Sequence, residues 1–382
     1  MLIDGVSAIG MGALMSGCKF YAGYPMTPAT GILDYIASRA EEYNMVAVQS
    51  EDEIAAINMA IGASFAGLRA MTGTSGGGFA LMVEGLSLAG MTETPIVIAE
   101  MQRPPGPATG MPTRTEQADL LYVLHAGHGE FPRVIFEPGT PEQAFYLTNK
   151  AFDLAEKYQI PTFILSDQYL ANSKWTFENF DLEHLIYNEY RLRQKDLEGV
   201  EDYKRFKYTD TGVSPFAVPG GEAGKNLVVA DSDEHDEEGH MIEDGETRNK
   251  MVQKRVLKKM PLIKKEIEPP LLYGDSSPKI VLVVHGSTYG VIKEIVDTSP
   301  KEKKVAMLHF SQIYPFPERD NFDYIELLKN ADLSICIENN ATGQFARLIR
   351  AETGFEFSHQ ISKYDGRPYL FENLKEDLHA YI

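Results

Sequence analysis

A run of residues around Glu53 places one carboxyl group on the first turn of a predicted helix. Ala55, Ala56, Met59 and Ala60 follow at helical spacings, so a stripe of small side chains runs down from the acid. A carboxylate at a helix start is favoured by unpaired backbone donors and by the helix dipole. Such a face fits a flat heterocycle with which the acid exchanges a proton, and an acidic first turn on an ordinary buried helix is the alternative.

Two flanking segments add groups that could hold a ligand. Upstream, Tyr24 and Pro25 precede Thr27, and prolines on either side of a Met-Thr pair restrict the backbone and fix the direction of the threonine hydroxyl. Downstream, the run 75–78 (Ser-Gly-Gly-Gly) reads as a strand-to-helix turn. Its glycines either permit a positive φ or let the backbone approach a cofactor or partner chain. A nucleotide loop is not indicated, because no lysine follows at the required spacing.

A loop rich in Gly, Pro and Thr over 102–117 supplies two candidate cations. Arg103 and Arg114 are suitable carboxylate clamps, since a guanidinium group binds a carboxylate through two hydrogen bonds, and Thr113 lies beside the second of them. A structural ion pair is the alternative for either arginine. The chain carries 55 acidic and 36 basic residues, a formal net charge of −19. An anionic substrate must therefore be held by local cations inside a cleft.

The elements that position these groups alternate between helix and strand over residues 1–170. Repeated strand–helix units with short connections predict a parallel sheet covered on both faces, that is, one doubly wound α/β domain. Predicted helices cover 5–17, 30–43, 79–90, 140–158 and a segment that starts at residue 53; predicted strands cover 19–23, 45–48, 69–72, 95–99, 133–136 and 161–165.

The pattern changes after residue 170. Residues 171–270 read as an irregular acidic connector, with a stretch rich in Gly and Pro over 217–224 and an acidic segment over 231–246 whose role the sequence leaves open. A basic helix over 249–265 leads into residues 271–382, which read as a smaller α/β unit with strands over 279–285, 304–309 and 332–337.

Composition excludes several classes of protein. The net charge of −19 argues against nonspecific nucleic-acid binding and against an anionic membrane surface. No stretch of about twenty apolar residues occurs, and the first residues lack a signal-peptide pattern, so we expect a cytoplasmic protein. Cys18 and Cys336 form no local metal motif, so no four-cysteine cluster is expected within this chain and no metal ligand is assigned.

Four strings in this order resemble the alpha subunit of the 2-oxoacid:ferredoxin oxidoreductases, which belong to the thiamine-diphosphate enzymes. They are the Glu-x-Ala-Ala-x-x-Met-Ala-x-Gly run over 53–62, the Tyr-Pro-Met-Thr-Pro run over 24–28, the Gly-rich run over 72–79 and the loop over 102–117. The resemblance implies a transketolase-like, pyrimidine-binding domain over 1–170. It also implies a transketolase C-terminal-like domain over 271–382, marked by the strings 314–317 and 338–344.

The resemblance also implies roles for single residues. Glu53 would be the acid that shares a proton with the aminopyrimidine ring of the cofactor, which requires a partly desolvated carboxyl group. Two further sets follow: cofactor contacts from Tyr24, Pro25, Ser75, Gly76 and Gly77, and 2-oxoacid contacts from Thr27, Arg103, Thr113 and Arg114.

The implied activity is oxidative decarboxylation of a 2-oxoacid, most closely 2-oxoglutarate, to acyl-CoA and CO₂ with reduction of ferredoxin. Only Gly274-Asp275 approaches the Gly-Asp-Gly motif that holds diphosphate, so thiamine diphosphate would be shared with a beta subunit. Mg²⁺ and 4Fe-4S clusters would lie on partner subunits, and we expect separate gamma and delta subunits. The enzyme would act only with these partners. The alternatives are 2-oxoisovalerate or broad 2-oxoacid specificity and, in another class, a noncatalytic scaffold.

Overall fold

The computed structural model describes residues 1–106, 108–220 and 228–382. Pro107 in the predicted substrate loop, and residues 221–227, which include the end of the predicted Gly- and Pro-rich stretch, lie outside the described residues. The strands are β1 (Leu2–Asp4), β2 (Phe20–Gly23), β3 (Val46–Gln49), β4 (Ala70–Thr74), β5 (Ile96–Gln102), β6 (Val134–Phe136), β7 (Pro161–Asp167), β8 (Lys174–Thr176), β9 (Leu271–Gly274), β10 (Ile280–His285), β11 (Val305–Phe310), β12 (Gln312–Tyr314), β13 (Leu333–Glu338) and β14 (His359–Ser362). The helices are α1 (Gly5–Met15), α2 (Thr30–Ala37), α3 (Glu53–Phe65), α4 (Gly76–Met91), α5 (Leu120–His125), α6 (Pro141–Tyr158), α7 (Gln168–Asn172), α8 (Gly245–Val252), α9 (Lys259–Lys264), α10 (Tyr289–Thr298), α11 (Tyr324–Asn330), α12 (Gln344–Thr353) and α13 (Phe371–Leu378).

The larger sheet has the strand order β12-β6-β7-β5-β4-β2-β3 within the described residues. Its pairs from β6 to β3 are parallel, and β12 joins the outer edge antiparallel to β6. Because the strands are parallel, the carboxyl ends of β2, β3, β4 and β5 meet at the same edge of the sheet. The predicted α/β class with a parallel sheet is confirmed.

Helices cover both faces of this sheet, which explains why its central strands are apolar. Every residue of β5 and of β7 is buried. On one face the core contains residues of α1 and α6, such as Ile9 and Phe145, and on the other face residues of α3 and α4, such as Ile57 and Phe79. A parallel strand buried on both faces needs apolar residues on both, which is the continuous pattern that the sequence shows.

The smaller sheet has the order β14-β13-β10-β11-β9 in the described part of the chain. It is parallel apart from its antiparallel edge strand β9. The core on the α3/α4 face of the larger sheet continues into this unit through Val281, Leu308 and Phe310. Strand β12, which follows β11 along the chain, pairs with β6 at the edge of the larger sheet. The two sheets also share one hydrophobic core. The domain boundaries at residues 170 and 270 stay a prediction.

The predicted connector is tied to the larger sheet's helices by buried ion pairs. Glu93, just after α4, lies 2.6 Å from Lys254 and also pairs with Lys259, and Arg205 donates a hydrogen bond of 2.7 Å to the Glu93 carbonyl. Both lysines belong to one long helix in which α8, a π-helical segment over Gln253–Lys258 and α9 follow without a break. In the predicted acidic segment, Glu234 pairs with Arg255 at 2.7 Å. None of the helices in the described ranges is long and apolar enough to cross a bilayer.

Candidate functional site

The predicted site residues follow the carboxyl ends of adjacent parallel strands. The segment 24–28 follows β2, Glu53 follows β3, Ser75 follows β4 and Arg103 follows β5. In an open α/β sheet this edge is where ligands bind, because loops from neighbouring strands converge there. The fold therefore brings four of the predicted groups to one edge of the sheet.

Glu53 opens helix α3 with its carboxyl group inside the protein. Asp52 caps the helix, accepting a hydrogen bond of 2.7 Å from the Ala55 N–H. Only 3% of Glu53 is exposed, and its Oε1 meets no hydrogen-bond partner in the described part of the chain. Burial raises the pKa of Glu53 above its ordinary value, its own backbone N–H opposes the rise, and the Asp52 carboxylate adds to it. A buried acid with a free oxygen and a raised pKa can exchange a proton with a ligand. Its role stays a prediction.

The Gly-rich run is the first turn of helix α4. The sequence pattern predicts a turn with the helix beginning at residue 79, but Ser75 is the N-cap and the helix begins at Gly76. None of its three glycines has a positive φ, so that explanation of the run is wrong. The glycines serve close approach instead: a Cβ at Gly78 would overlap Thr74 Oγ1 and Glu53 Oε1, and one at Gly77 would lie 2.8 Å from the Ala108 carbonyl oxygen.

Arg103 holds the segment that carries Thr27. Its Nη1 donates a hydrogen bond of 2.8 Å to the Thr27 carbonyl oxygen, and only 7% of the arginine is exposed. Tyr24, Pro25 and Thr27 are exposed at the edge of the sheet. The structure thus brings two predicted substrate residues together through the backbone of one of them. Their contacts with a substrate stay a prediction.

Thr113 and Arg114 line a different space. They form one wall of a crevice of about 770 Å³ whose other wall comes from the segment between β14 and α13, including Arg367. At the crevice, Gly366 adopts a φ of +77°, and a Cβ there would lie 3.2 Å from the Arg114 Cβ. The predicted substrate loop therefore reaches from the Thr27 segment to the smaller sheet, and these two residues do not join the group around Glu53.

A buried polar network between the two sheets was missed by the sequence analysis. His285 Nδ1 lies 2.6 Å from Glu137 Oε2, and its Nε2 lies 3.7 Å from Glu338 Oε2. Burial alone would lower the pKa of His285, but the two carboxylates outweigh it and raise the pKa to about 10. The imidazole is therefore a cation that joins β6 to β10 and β13. The Gln117 side-chain amide adds a hydrogen bond of 3.0 Å to the His285 carbonyl oxygen.

A second missed group is the acid Glu100, near the end of β5. The sequence pattern predicts that this strand ends at residue 99, but the strand continues to Gln102 and Glu100 is fully buried within it. Asp119 precedes α5, and its side chain lies against the first residue of α4, because a Cβ at Gly76 would be 2.5 Å from its Oδ2. Neither acid belongs to a metal site, since no cluster of three possible ligands occurs among the described residues.

The edge of the sheet is chemically suited to a flat ligand with a ring nitrogen. Two buried polar atoms at this edge, Glu53 Oε1 and Ser75 Oγ, have no partner within the described ranges. The first turn of α4 has no side chains at Gly76 and Gly77, and the space beside them is taken by Asp119 and by the Ala108 carbonyl group. The residues present therefore offer a buried acid with a free oxygen and a free hydroxyl.

Comparisons with known proteins agree on one family. Residues 11–254 match the family described as "Pyruvate flavodoxin/ferredoxin oxidoreductase, thiamine diP-bdg". The chain is 38% identical over 393 residues to the alpha subunit of 2-oxoacid:ferredoxin oxidoreductase 1 of Sulfurisphaera tokodaii, an alignment that covers 98% of this chain and 60% of that protein. It is 34% identical over 318 residues to the 2-oxoglutarate synthase subunit KorA of Methanocaldococcus jannaschii, which covers 83% of each.

Solved structures support the fold. A 2-oxoglutarate:ferredoxin oxidoreductase from Magnetococcus marinus, solved with 2-oxoglutarate, coenzyme A and succinyl-CoA bound, matches with a TM-score of 0.91 at 32% identity, over 100% of this chain and 65% of that one. A split-gene transketolase matches with a TM-score of 0.51 at 12% identity, which shows the fold alone. The predicted transketolase-like architecture is confirmed. The chain spans about 60% of the length of the first relatives it matches.

Proposed function

Because the chain belongs to the pyruvate flavodoxin/ferredoxin oxidoreductase family with its thiamine-diphosphate-binding domain, we propose that it is the alpha subunit of a 2-oxoglutarate:ferredoxin oxidoreductase. The proposed reaction is the oxidative decarboxylation of the 2-oxoacid to acyl-CoA and CO₂, with reduction of ferredoxin. The observation that carries the proposal is the buried carboxyl group of Glu53, whose Oε1 lacks a partner in the described structure.

Glu53 would share its proton with a ring nitrogen of the aminopyrimidine of thiamine diphosphate. When bound, the cofactor supplies the nucleophilic carbon that decarboxylation of a 2-oxoacid requires. Burial raises the pKa of Glu53 above its ordinary value, which favours the protonated form that can share its proton with the ring. Ser75 would offer its free hydroxyl, and Gly76 and Gly77 would let the backbone approach the ring. Tyr24 and Pro25 would border the cofactor from the segment after β2.

The other half of the active site would come from a beta subunit. The described residues contain no cluster of metal ligands, and Gly274-Asp275, the near match to the diphosphate motif, lies at the end of edge strand β9. Next to Glu53, the outer face of α3 and α4 exposes large apolar side chains. Ile54, Met59 and Leu81 are 48%, 38% and 49% exposed, which favours burial against a partner. Mg²⁺ and the 4Fe-4S clusters would reside on partner subunits.

A dicarboxylic 2-oxoacid would need cations at both ends. Arg103 and Thr27 lie together at the cofactor edge, whereas Thr113 and Arg114 lie farther along the same loop. We assign the first pair to the 2-oxo end of the substrate and keep the second pair as the candidates for the distal carboxylate. Gamma and delta subunits, ferredoxin and coenzyme A complete the proposed system. The name "2-oxoglutarate synthase" of several relatives supports this substrate.

The test uses the complex purified with its native partner subunits. We expect coenzyme A-dependent reduction of a viologen dye with 2-oxoglutarate, and turnover at least about tenfold lower with 2-oxoisovalerate, since the shorter acid lacks the distal carboxylate. Equal turnover with both acids would contradict the assignment of Arg114 and favour a broad-specificity enzyme. If neither acid supports reduction of the dye, the alternative of a noncatalytic scaffold subunit is favoured.

Glu53→Gln separates an enzyme from a scaffold. We expect this variant to lose at least about a hundredfold in dye reduction, because the amide keeps the size of the side chain but cannot exchange the proton. Glu51→Gln is the matched control, since Glu51 lies two residues away and is exposed. Unchanged turnover of the Glu53 variant in the assembled complex would contradict the proposed role.

A further inference from the structure

Glu100 is a carboxyl group without a hydrogen-bond partner among the residues that the structure describes. It is fully buried in β5, and neither of its oxygens finds a hydrogen bond within the described ranges. An isolated carboxylate in the interior costs far more free energy than a neutral carboxylic acid. Burial, followed by the charges of Asp119 and Glu137, raises the pKa of Glu100 well above its ordinary value, and Arg103 opposes this rise. Glu100 therefore holds a proton in the resting protein.

The register of the sheet places this acid beside Thr74. Thr74 of β4 is the direct partner of Glu100 of β5, and partners in a parallel pair extend their side chains to the same face. That face is the one covered by α3 and α4, because Ile98, two residues before Glu100, packs in the same core cluster as Phe79 of α4. Glu100 thus lies beneath the first turn of α4.

Thr74 also borders Glu53. Its hydroxyl and the Glu53 carboxyl group both lie against Gly78, so closely that a Cβ there would overlap each of them. The hydroxyl is weakly engaged, since its acceptors are the Met26 sulfur at 3.8 Å and the Ser75 carbonyl at 3.4 Å. On this face Thr74 therefore has Glu100 as its neighbour in the sheet and Glu53 as its neighbour across Gly78, and no hydrogen bond joins Thr74 to either acid in the described structure.

We propose that Glu100 is a positioning residue whose neutral carboxyl group donates a hydrogen bond to the Thr74 hydroxyl, which rotates to donate in turn to the Glu53 carboxylate. A hydroxyl group can accept one hydrogen bond and donate another at the same time, so Thr74 is suited to link the two acids. No proton leaves Glu100 in this arrangement. The inference deepens the proposed function and rests on it.

The relay would stabilise the ionised form of Glu53 at the moment when its proton is on the ligand. A hydrogen bond to a carboxylate lowers its pKa and so limits the rise that burial causes. A neutral Glu100 also adds no negative charge next to Glu53. The charges around Glu100 favour its neutral form. The carboxylates of Asp119 and Glu137 raise its pKa, and Arg103 opposes them; the Tyr122 hydroxyl is a further nearby oxygen.

Asp119 reinforces the neutral state of Glu100. Burial raises the pKa of Asp119 to about 6, although Arg103 opposes the rise. Above that pH the Asp119 anion adds to the effect of burial and raises the pKa of Glu100 further.

The first test measures hydrogen–deuterium exchange at C2 of bound thiamine diphosphate, by quenched-flow NMR, in the assembled complex over a range of pH. Thr74→Val and Glu100→Leu remove the relay, and we expect the acid limb of the exchange profile to move up by about one pH unit. Thr74→Ser and Glu100→Gln keep a hydrogen-bond donor, and we expect them to restore the wild-type profile. Profiles of Thr74→Val and Glu100→Leu that superimpose on the wild type would overturn the proposal.

The second test needs neither cofactor nor turnover. Infrared difference spectra of wild type minus Glu100→Gln, recorded on the purified protein at neutral pH, should contain the carbonyl band of a protonated carboxylic acid. The absence of that band would overturn the neutral state of Glu100. Failure of the proposed function gives a different result. In that case C2 of the cofactor would exchange at the wild-type rate in the Glu53→Gln variant, while the infrared band of protonated Glu100 would still be present. A structural role alone would change stability in all four variants without moving the pH profile.

Discussion

Gly78 is the position where one added methyl group should disable the site while the fold survives. The built Cβ of Gly78→Ala would lie 2.7 Å from Cδ of Glu53 and would also overlap the Thr74 hydroxyl. Relieving such contacts in a packed interior costs about 1–3 kcal/mol, whereas replacing glycine by alanine in a helix returns about 0.5–1 kcal/mol. We therefore expect a net loss of roughly 0–2.5 kcal/mol in the free energy of unfolding.

The cost to activity should be much larger than the cost to stability. The cheapest relief is to turn the Glu53 carboxyl group away from its position, and a displacement of about 1 Å at a reacting group typically costs about a hundredfold in rate. The assay is 2-oxoglutarate-dependent dye reduction by the assembled complex, with urea unfolding of the same preparations. Gly245→Ala is the matched control, because Gly245 also lies on the first turn of a helix and its Cβ would meet nothing within 4 Å. A Gly78 variant with wild-type turnover would refute the reasoning that this glycine keeps space for the acid.

Three further predictions concern other buried polar contacts. His285→Gln removes the cation between Glu137 and Glu338, and urea unfolding at neutral pH should show a loss of about 3–5 kcal/mol. The folded-state pKa of His285 is about 10, against an ordinary value of 6.5. The stability that protonated His285 contributes is therefore complete below about pH 6.5 and is lost as the pH rises through 10. Wild type and variant should accordingly have similar free energies of unfolding in urea at alkaline pH. Glu93→Gln leaves Lys254 and Lys259 buried without a carboxylate. We expect a loss of about 3 kcal/mol in the free energy of unfolding and faster tryptic cleavage of the connector. Equal cleavage rates in wild type and variant would contradict the anchoring role. Arg103→Met frees the Thr27 segment and should raise the KM for 2-oxoglutarate about tenfold with a smaller change in kcat, whereas an unchanged KM would remove Arg103 from the substrate site.

Sequence patterns predicted the sheet because its strands are buried on both faces. The runs at 95–99 and 161–165 are apolar from end to end, and both became central strands. The predicted ends of helices and strands were less accurate, because the local sequence pattern carries no information on tertiary contacts. Helix α2 ends at Ala37 rather than near residue 43, and α4 begins at Gly76 rather than at residue 79. Three consecutive glycines have a low helix propensity. They are nevertheless helical in α4, because the following turns of that helix pack into the core.

Long-range polar contacts were not accessible from the sequence. Glu137 and His285 are 148 residues apart, and nothing local marks either as half of an ion pair. Glu100 was missed because an acid at the end of an apolar run normally signals the end of a strand, and only the sheet register shows that it stays inside. Glu53, by contrast, carried a local signal in its helix start and its stripe of small residues. Its burial agrees with the chemistry that was expected of it, and its role remains a prediction, as do the roles of the other site residues.

The most direct measurement is a cryo-EM structure of the assembled complex with thiamine diphosphate. We expect the Glu53 carboxyl group within hydrogen-bonding distance of the aminopyrimidine ring, with the diphosphate and its metal ion held by the partner subunit. A ring bound elsewhere, or a Glu53 side chain turned into bulk solvent away from the interface between subunits, would contradict the central claim.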